Sequence, residues 1–412
     1  MNPTIVLAYS GGLDTSYCAV YLSQVCGYDV HAVLVNTGGF SDREIDAIGA
    51  RARDLGAVAF ESIDARPQYY TDCLRHLIAG NVLRGGLYPM SVSAERMFQA
   101  LEIIAYANRV GATAIAHGST GAGNDQVRFD YAFRVLGADD LEIVTPIRDQ
   151  QLSREAEVAF LAEHGHSFDS TKAKYSINRG LWGTSVGGAE TLTSHAGLPD
   201  EAWPTPVTAT EPRELDLVFE RGERVGVDGK RFGDDPADRV AAIERVTELA
   251  APFGVGRGIH VGDTIIGIKG RVGFEAPAAT LIIKAHELLE KHTLGKLQQT
   301  HKRGLGELYG TLIHESQFLD PVRADIEAWF DSSQRTVTGT VHLRLHPHRF
   351  ELLGVTSPRD QMQVGGSQYG ETQGAWSGTD VRGFTRILAN SARLARTAAD
   401  ADTVADTKPT AS

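Results

Sequence analysis

A short loop near the start of the chain carries residue types that can hold a polyphosphate. Residues 10–16 read SGGLDTS and follow an apolar run at residues 4–9. Glycines let the backbone approach phosphate oxygens, and hydroxyl groups and the first N–H groups of a following helix add hydrogen-bond donors. The loop lacks the Gly-Lys-Ser/Thr ending of a kinase-type P-loop and the G-x-G-x-x-G of a dinucleotide site. We therefore predict a phosphate cradle of another kind.

Asp14 within this loop indicates a metal ion. A carboxylate beside a phosphate repels it unless a cation lies between them, which suggests Mg²⁺ held together with pyrophosphate. The alternative is a tight Gly-Gly turn in which Asp14 only caps the following helix.

The flanking segments alternate between strand and helix patterns, which predicts the fold that positions the loop. Apolar runs predict strands at residues 4–9, 30–35, 57–63, 113–117 and 142–145. A helix follows the loop with Ala19, Val20, Leu22 and Val25 on its apolar stripe and stops near Gly27. Further helices are predicted at residues 41–55, with Ser41 and Glu44 as a capping box, and at 94–110, 125–136 and 153–164. This alternation favours an α/β fold, a doubly wound parallel sheet covered on both faces.

The amino-acid composition of the sequence changes after residue 165. Residues 166–213 are rich in Gly, Ser, Thr and Pro, which is typical of long loops or a connector. Later patterns predict extended segments at 215–220 and 224–227, a turn at Asp228-Gly229, helices at 235–250 and 278–289, and an antiparallel ribbon of 337–345 with 350–355. We predict four parts: a nucleotide-binding domain (1–165), a second α+β domain (166–365), a C-terminal oligomerisation segment (366–397) with an amphipathic helix at 381–396, and a disordered tail (398–412).

Composition limits the possible partners. The 412 residues carry 40 basic and 52 acidic side chains, a net charge of −12, which argues against a dedicated nucleic-acid binder. No stretch approaches the ~20 apolar residues of a membrane helix, and the N-terminus lacks a secretion signal. Three cysteines without zinc-ligand spacing favour a reduced compartment and no structural metal site. We expect a cytoplasmic protein that acts on small molecules, without nucleic-acid or membrane partners.

The loop and several later segments resemble one family. SGGLDTS after a strand is similar to the pyrophosphate loop of the ATP-pyrophosphatase superfamily, and residues 8–16 (AYSGGLDTS) resemble the argininosuccinate synthase family within it. Matching segments follow in order: HGSTGAGNDQVRF (117–129), TPIRD (145–149), KYS (174–176), WGTS (182–185), KGRVGFEAP (269–277) and QRTVTGTVHLRL (334–345). The resemblance covers nearly the whole chain and implies an ATP-pyrophosphatase type of fold.

The resemblance implies an AMP-forming carbon–nitrogen ligase that uses ATP with Mg²⁺. In that family the ureido oxygen of citrulline attacks the α-phosphate of ATP, and the aspartate amine then displaces AMP. Positioning and charge neutralisation would dominate such a reaction. The resemblance also implies a homotetramer with the C-terminal helix as an exchange arm.

The same resemblance assigns residues to three ligands. Nucleotide binding falls on Ala8, Tyr9, Ser10, Gly11, Gly12, Leu13, Asp14, Thr15, Ser16, Val35 and Gly118, with Asp14, Ser10 and Ser16 as catalytic candidates. Aspartate binding falls on Thr120, Asn124 and Asp125, a set that can meet two carboxylates and an ammonium. Binding of the citrulline-type acceptor falls on Tyr88, Ser93, Asn124, Arg128, Ser176, Ser185 and Phe274.

The sequence departs from the family pattern mainly on the acceptor side. Ala122 replaces a usual lysine, and Asn178, Gly180 and Gly187 replace polar residues. The family's citrulline-binding glutamate and tyrosine fall at Gly262 and Phe274. Because an ammonium that loses its carboxylate partner costs several kcal/mol, citrulline recognition is in question. Two alternatives therefore stay open: a specialised paralogue that joins aspartate to another ureido, carbamoyl or carboxylate acceptor, and a non-catalytic nucleotide-binding homologue.

Overall fold

A parallel five-stranded sheet forms the first part of the chain. The computed structural model describes residues 2–168, 174–364 and 375–405. Its first strands are β1 (Thr4–Ala8), β2 (Asp29–Asn36), β3 (Ala59–Asp64), β4 (Ala114–His117) and β5 (Glu142–Val144). They pair in parallel in the order β3-β2-β1-β4-β5. The prediction of a doubly wound α/β fold is confirmed.

Helices connect these strands and cover the sheet. They are α1 (Leu13–Val20), α2 (Asp42–Asp54), α3 (Arg66–Tyr69), α4 (Arg75–Ala79), α5 (Glu95–Val110), α6 (Asp125–Leu136), α7 (Pro146–Gln150) and α8 (Arg154–Glu163). The capping box of Ser41 and Glu44 is present at the start of α2. A π-helical turn, Tyr21–Val25, extends α1 and widens it, so Val25 is 55% exposed. The prediction that Val25 belongs to the apolar stripe is wrong.

The later part of the chain contains two antiparallel sheets. Its strands are β6 (Ser176–Gly180), β7 (Gly183–Gly187), β8 (Arg213–Glu220), β9 (Glu223–Val227), β10 (Lys230–Arg231), β11 (Arg257–Asp263), β12 (Lys269–Glu275), β13 (Gly339–His346) and β14 (Arg349–Thr356). The predicted ribbon is β13–β14, within a sheet of order β10-β9-β8-β13-β14, and the second sheet has the order β11-β12-β7-β6. The interpretation of residues 166–213 as loop or connector missed the hairpin β6–β7.

Four long helices accompany these sheets: α9 (Pro236–Ala250), α10 (Pro277–Thr293), α11 (Lys296–His314) and α12 (Val322–Gln334). The sequence predicted α9 and α10 but neither α11 nor α12. One buried core cluster contains Phe98 of α5, Leu217 of β8 and Ile282 of α10, so the packing continues between the two predicted domains. Residues up to Asp360 accordingly form one compact unit.

Residues from Gln361 onward form a second unit. It contains α13 (Gln361–Val364) and α14 (Gly378–Ala405). The predicted amphipathic helix is confirmed within α14, and its Phe384, Ile387 and Leu388 are exposed. The predicted disordered tail begins inside this helix, and its residues 406–412 lie outside the described part. No helix among the described residues is long and apolar enough to cross a membrane.

Candidate active site

A cavity of about 650 Å³ opens at the carboxyl ends of β1, β2 and β4. This edge of a parallel sheet is the usual ligand site of such folds. The cavity is lined by twelve of the residues assigned from the sequence: Ala8, Tyr9, Ser10, Gly12, Leu13, Asp14, Thr15, Val35, Gly118, Thr120, Asp125 and Ser176. Residues that are far apart in the sequence therefore meet in one place.

The loop between β1 and α1 has the backbone of an anion cradle. Gly11 has φ +75°, and a Cβ there would lie 3.1 Å from Ile48. Gly12 is the N-cap of α1 and makes no side-chain cap, so the first N–H groups of the helix stay available. The Thr15 hydroxyl donates to the Gly12 carbonyl at 3.2 Å. Ser16 differs from these residues, because its side chain is buried and does not line the cavity.

Asp14 has an acidic neighbour behind it. Burial, and then the charge and hydrogen bond of the nearby Asp14, raise the pKa of Glu157 on α8 to about 8. Asp14 itself lies on the cavity wall. Mg²⁺ in nucleotide sites takes one or two carboxylates plus phosphate oxygens, and this donor set fits it. No group of three His, Cys, Asp or Glu side chains suited to a metal occurs in residues 2–168, 174–364 and 375–405.

His117 connects two of the resembling segments. Its Nδ1 accepts from the Ser119 N–H at 3.2 Å, so Nε2 carries the proton and donates to Asp130 at 2.9 Å. Arg148 of the TPIRD segment donates to the other Asp130 oxygen at 3.0 Å. Burial acts to raise the pKa of Asp130, but His117 and Arg148 lower it overall. This partly buried set of hydrogen bonds fixes the position of the strand end that carries Gly118.

Asp125 lies between two arginines. Arg96 Nε donates to one of its oxygens at 3.2 Å, and Arg128 Nη1 donates to the other at 2.8 Å. Although burial acts to raise its pKa, the charges of Arg96 and Arg128 lower it overall. Arg128 is 4% exposed and does not line the cavity. It also donates to the His314 carbonyl, so it holds Asp125 from the side that faces away from the cavity.

The remaining assigned residues lie away from the cavity. Asn124 accepts from the Ile265 N–H at 2.9 Å and so holds the β11–β12 turn. Tyr88 and Phe274 are buried with ring centroids 5.3 Å apart, and Phe274 pairs with Ser185 across the sheet. Ser93 is buried, and its hydroxyl has no hydrogen-bond partner in the part of the chain that the structure describes. Among the residues assigned to the acceptor, only Ser176 lines the cavity.

Sequence analysis missed several polar residues of the cavity wall. Thr37, Arg96, Gln99 and Arg154 line it beside the assigned residues. Thr37 donates to the buried carboxylate of Glu95 at 3.1 Å and accepts from Gln99 at 3.2 Å. The only available signal was the position of Arg96 and Arg154 in the first turns of predicted helices, which is also where solvated arginines occur.

Glu95 should make stability depend on pH. Burial raises its pKa to about 8, above the ~4.3 of an unfolded glutamate. Between these values the folded state holds a proton that the unfolded state lacks, so stability is full below about pH 4.3 and falls by up to ~1.4 kcal/mol per unit as pH rises to 8. We expect Glu95→Gln to flatten this fall. Urea unfolding at pH 5, 6.5 and 8 would measure it, and parallel curves for both proteins would contradict it.

Gly180 leaves the space that Glu95 needs. A Cβ at Gly180 would lie 2.0 Å from Glu95 Oε2, whereas a Cβ at Gly187, in the same hairpin, would meet nothing within 4 Å. We expect Gly180→Ala to lower the free energy of unfolding by ~1–3 kcal/mol, because the carboxylate must move. Gly187→Ala is the control and should change it by less than ~1 kcal/mol. Equal effects in the two variants would show that the close approach is unimportant.

The fold and site together define a nucleotide-binding α/β protein. Two family models agree with this class. Residues 4–167 match the argininosuccinate synthase N-terminal HUP domain, and residues 175–395 match the argininosuccinate synthase C-terminal domain. The chain belongs to the argininosuccinate synthase family, and it is an ATP-dependent ligase.

Curated relatives match over nearly their full length. An argininosuccinate synthase of Xylella fastidiosa is 36% identical over 400 residues, which covers 95% of this chain and 97% of that protein. One from Xanthomonas campestris is 37% identical with the same coverage. One from Methanocaldococcus jannaschii is 37% identical over 87% of this chain and 89% of that protein. The resemblance predicted from the motifs is confirmed, and it favours the ligase over the non-catalytic alternative.

Proposed function

We propose that this chain joins the amine of aspartate to a ureido acceptor of the citrulline type, with ATP as the energy source. In the first step the ureido oxygen attacks the α-phosphorus, its P–O bond forms, and the α–β P–O bond breaks to release pyrophosphate. In the second step the aspartate nitrogen attacks the activated carbon, a C–N bond forms, and AMP leaves with the former ureido oxygen. The amine loses its proton to solvent.

The residues of the cavity have separate tasks in this proposal. The backbone of residues 8–16 and the hydroxyls of Ser10 and Thr15 hold the outer phosphates, while Val35 and Gly118 border the rest of the nucleotide. Mg²⁺ bound at Asp14 would neutralise charge on the departing pyrophosphate. Thr120 and Asp125 receive the aspartate, Asn124 supports them through its hydrogen bond to Ile265, and Ser176 lies on the acceptor side. Ser16 would support the loop from the buried side and would not contact the nucleotide.

One observation carries the proposal. The loop between β1 and α1, the residues Thr120 and Asp125, and strand β6 all contribute to the wall of one cavity. A nucleotide, an amino acid and a third substrate can therefore be held side by side. Such proximity is the main contribution to a reaction that needs little acid–base chemistry.

An isotope experiment tests the proposal. Citrulline labelled with ¹⁸O in the ureido group is incubated with ATP, Mg²⁺, aspartate and the purified protein. The proposal expects the label in the AMP phosphate and aspartate-dependent AMP release. Unlabelled AMP, as from simple ATP hydrolysis, would contradict it.

Assembly and location extend the proposal. The exposed apolar residues of α14, including Phe384, Ile387 and Leu388, support its use between subunits of a homotetramer. The same resemblance supports a cytoplasmic protein and the four-part division of the chain at residues 165, 365 and 397. Sedimentation analysis of the full chain and of a chain ending at residue 377 would test the assembly.

A further inference from the structure

One arginine on the wall of the nucleotide cavity has no ion-pair partner among the described residues. The arginines that line this cavity are Arg96, Arg154 and Arg179. Arg96 donates to Asp125 at 3.2 Å, and Arg179 lies 3.8 Å from Glu44. Arg154 is exposed, and no carboxylate in the part of the chain that the structure describes lies at ion-pair distance from it. Its charge is therefore available to a ligand of the cavity.

Arg154 lies on the same side of the cavity as Asp14. It is the first residue of α8, directly after the N-cap Ser153, whose hydroxyl accepts from the Ala156 N–H at 3.2 Å. Glu157 follows three residues later and shares a face of the helix with Arg154. Burial raises the pKa of Glu157, Asp14 raises it further, and Arg154 lowers it. The side chains of Asp14, Glu157 and Arg154 are therefore close to one another.

Packing between α1 and α8 fixes this position. The rings of Tyr17 on α1 and Phe160 on α8 have centroids 4.6 Å apart. Leu13 and Leu161 belong to one buried cluster that joins the two helices. The first turn of α8 is therefore held beside the loop that leads from β1 into α1.

The segments proposed to hold the phosphates supply no cation of their own. Residues 8–16 (AYSGGLDTS) and 118–125 (GSTGAGND) contain neither lysine nor arginine, and each contains an aspartate. Breaking the α–β bond of ATP moves further negative charge onto the pyrophosphate that leaves. A guanidinium group presents a rigid fork of N–H donors that matches phosphate oxygens. Arg154 can provide such a group beside the loop.

We propose that Arg154 binds the β- and γ-phosphates of ATP and stabilises the negative charge that develops on the departing pyrophosphate. The inference rests on the proposed function, because it adds a catalytic residue to the same ligase. The tasks of the two charged side chains then differ. Asp14 would hold the metal ion, and Arg154 would contact phosphate oxygens directly.

Binding without turnover tests the contact. α,β-Methylene-ATP keeps all three phosphates but resists cleavage between the first two, whereas AMP lacks the outer two. Calorimetry of the full chain with Mg²⁺ gives Kd for each compound. We expect Arg154→Gln to raise Kd for α,β-methylene-ATP ~10-fold, since a hydrogen bond to a charged group contributes about that factor. Kd for AMP should change less than ~3-fold.

Turnover tests the effect on the reaction. At saturating ATP, kcat for AMP formation should fall at least ~10-fold in Arg154→Gln, because the contact strengthens as the α–β bond breaks. Arg154→Lys keeps the charge without the fork of donors and should recover part of both losses. Arg134→Gln is the matched control, since Arg134 is exposed in the last turn of α6 and does not line the cavity. It should leave Kd and kcat within ~2-fold of the parent values.

Salt separates a direct contact from attraction at a distance. The Debye length falls from about 10 Å at 0.1 M salt to about 3 Å at 1 M, so an arginine that only attracts ATP through solvent loses its effect. The ratio of Kd values for α,β-methylene-ATP between Arg154→Gln and the parent should stay above ~3-fold at 0.5 M NaCl. A ratio that falls to one would overturn the inference.

The outcomes distinguish the two proposals. A weaker affinity confined to α,β-methylene-ATP, together with a lower kcat, supports the inference. An equal loss of AMP binding, or parent values of Kd and kcat in Arg154→Gln, overturns it while the ligase proposal stands. A lack of aspartate-dependent AMP release by the parent protein with ATP and citrulline would overturn the proposed function and this inference with it.

Discussion

Asp14→Asn is expected to lower kcat/KM for AMP formation by ~100- to 1,000-fold, the usual loss when one preorganised charge is removed from a transition state. Asparagine keeps the size of the side chain, so the loop between β1 and α1 should keep its shape. The change removes the one carboxylate that the loop places on the cavity wall. In the proposed function, pyrophosphate would then leave without the cation that Asp14 would hold.

The measurement is AMP release at saturating aspartate and acceptor over a series of Mg²⁺ concentrations. Excess Mg²⁺ should not restore the rate, because the lost group positions the ion. Asp29→Asn is the matched control, since Asp29 lies at the opposite end of the sheet, at the start of β2. Activity above a tenth of the parent value with unchanged Mg²⁺ dependence would mean that Asp14 only caps the helix.

The parallel sheet could be predicted because its signals are local. Each buried strand is a short apolar run, and Ser41 with Glu44 marks a helix start within four residues. Strands β11 and β12 gave no such signal, because glycine and charged residues interrupt them. They are stabilised by pairing, β11 with β12 and β12 with β7. Helices α11 and α12 were missed because their apolar positions mix with charged residues such as Lys302, which is buried through its ion pair with Glu290.

Sequence analysis predicted only the part of the site in which one motif supplies the proposed ligand contacts from its own backbone. Every residue from Ala8 to Thr15 except Gly11 lines the cavity, because one turn places them there. The motif could not predict which side chains from distant parts of the sequence contact one another. Arg128 matched an acceptor position, yet its guanidinium faces Asp125 and His314. Likewise, glycine at 262 suggested only a lost contact, while the structure places the His260 ring against it.

The second large effect is expected at Asp125. Its side chain is 41% exposed, and each of its oxygens already accepts from a guanidinium, of Arg96 or Arg128. Each oxygen can accept another hydrogen bond, so the carboxylate can also receive the ammonium of aspartate. In Asp125→Asn only one atom accepts, and the amide NH₂ faces the other arginine. We expect kcat/KM for aspartate to fall ~100-fold, because two charged hydrogen bonds weaken together.

Separate titrations of aspartate and ATP decide this prediction. KM for ATP should change by less than ~3-fold, because the loop proposed to hold the nucleotide does not include Asp125. Asp140→Asn, at an exposed position after α6, is the control. A parallel loss for both substrates, or a lower unfolding temperature, would instead show that Asp125 mainly neutralises two arginines. An effect confined to aspartate would place its amine at Asp125, because the two guanidinium groups hold that carboxylate in one orientation toward the cavity.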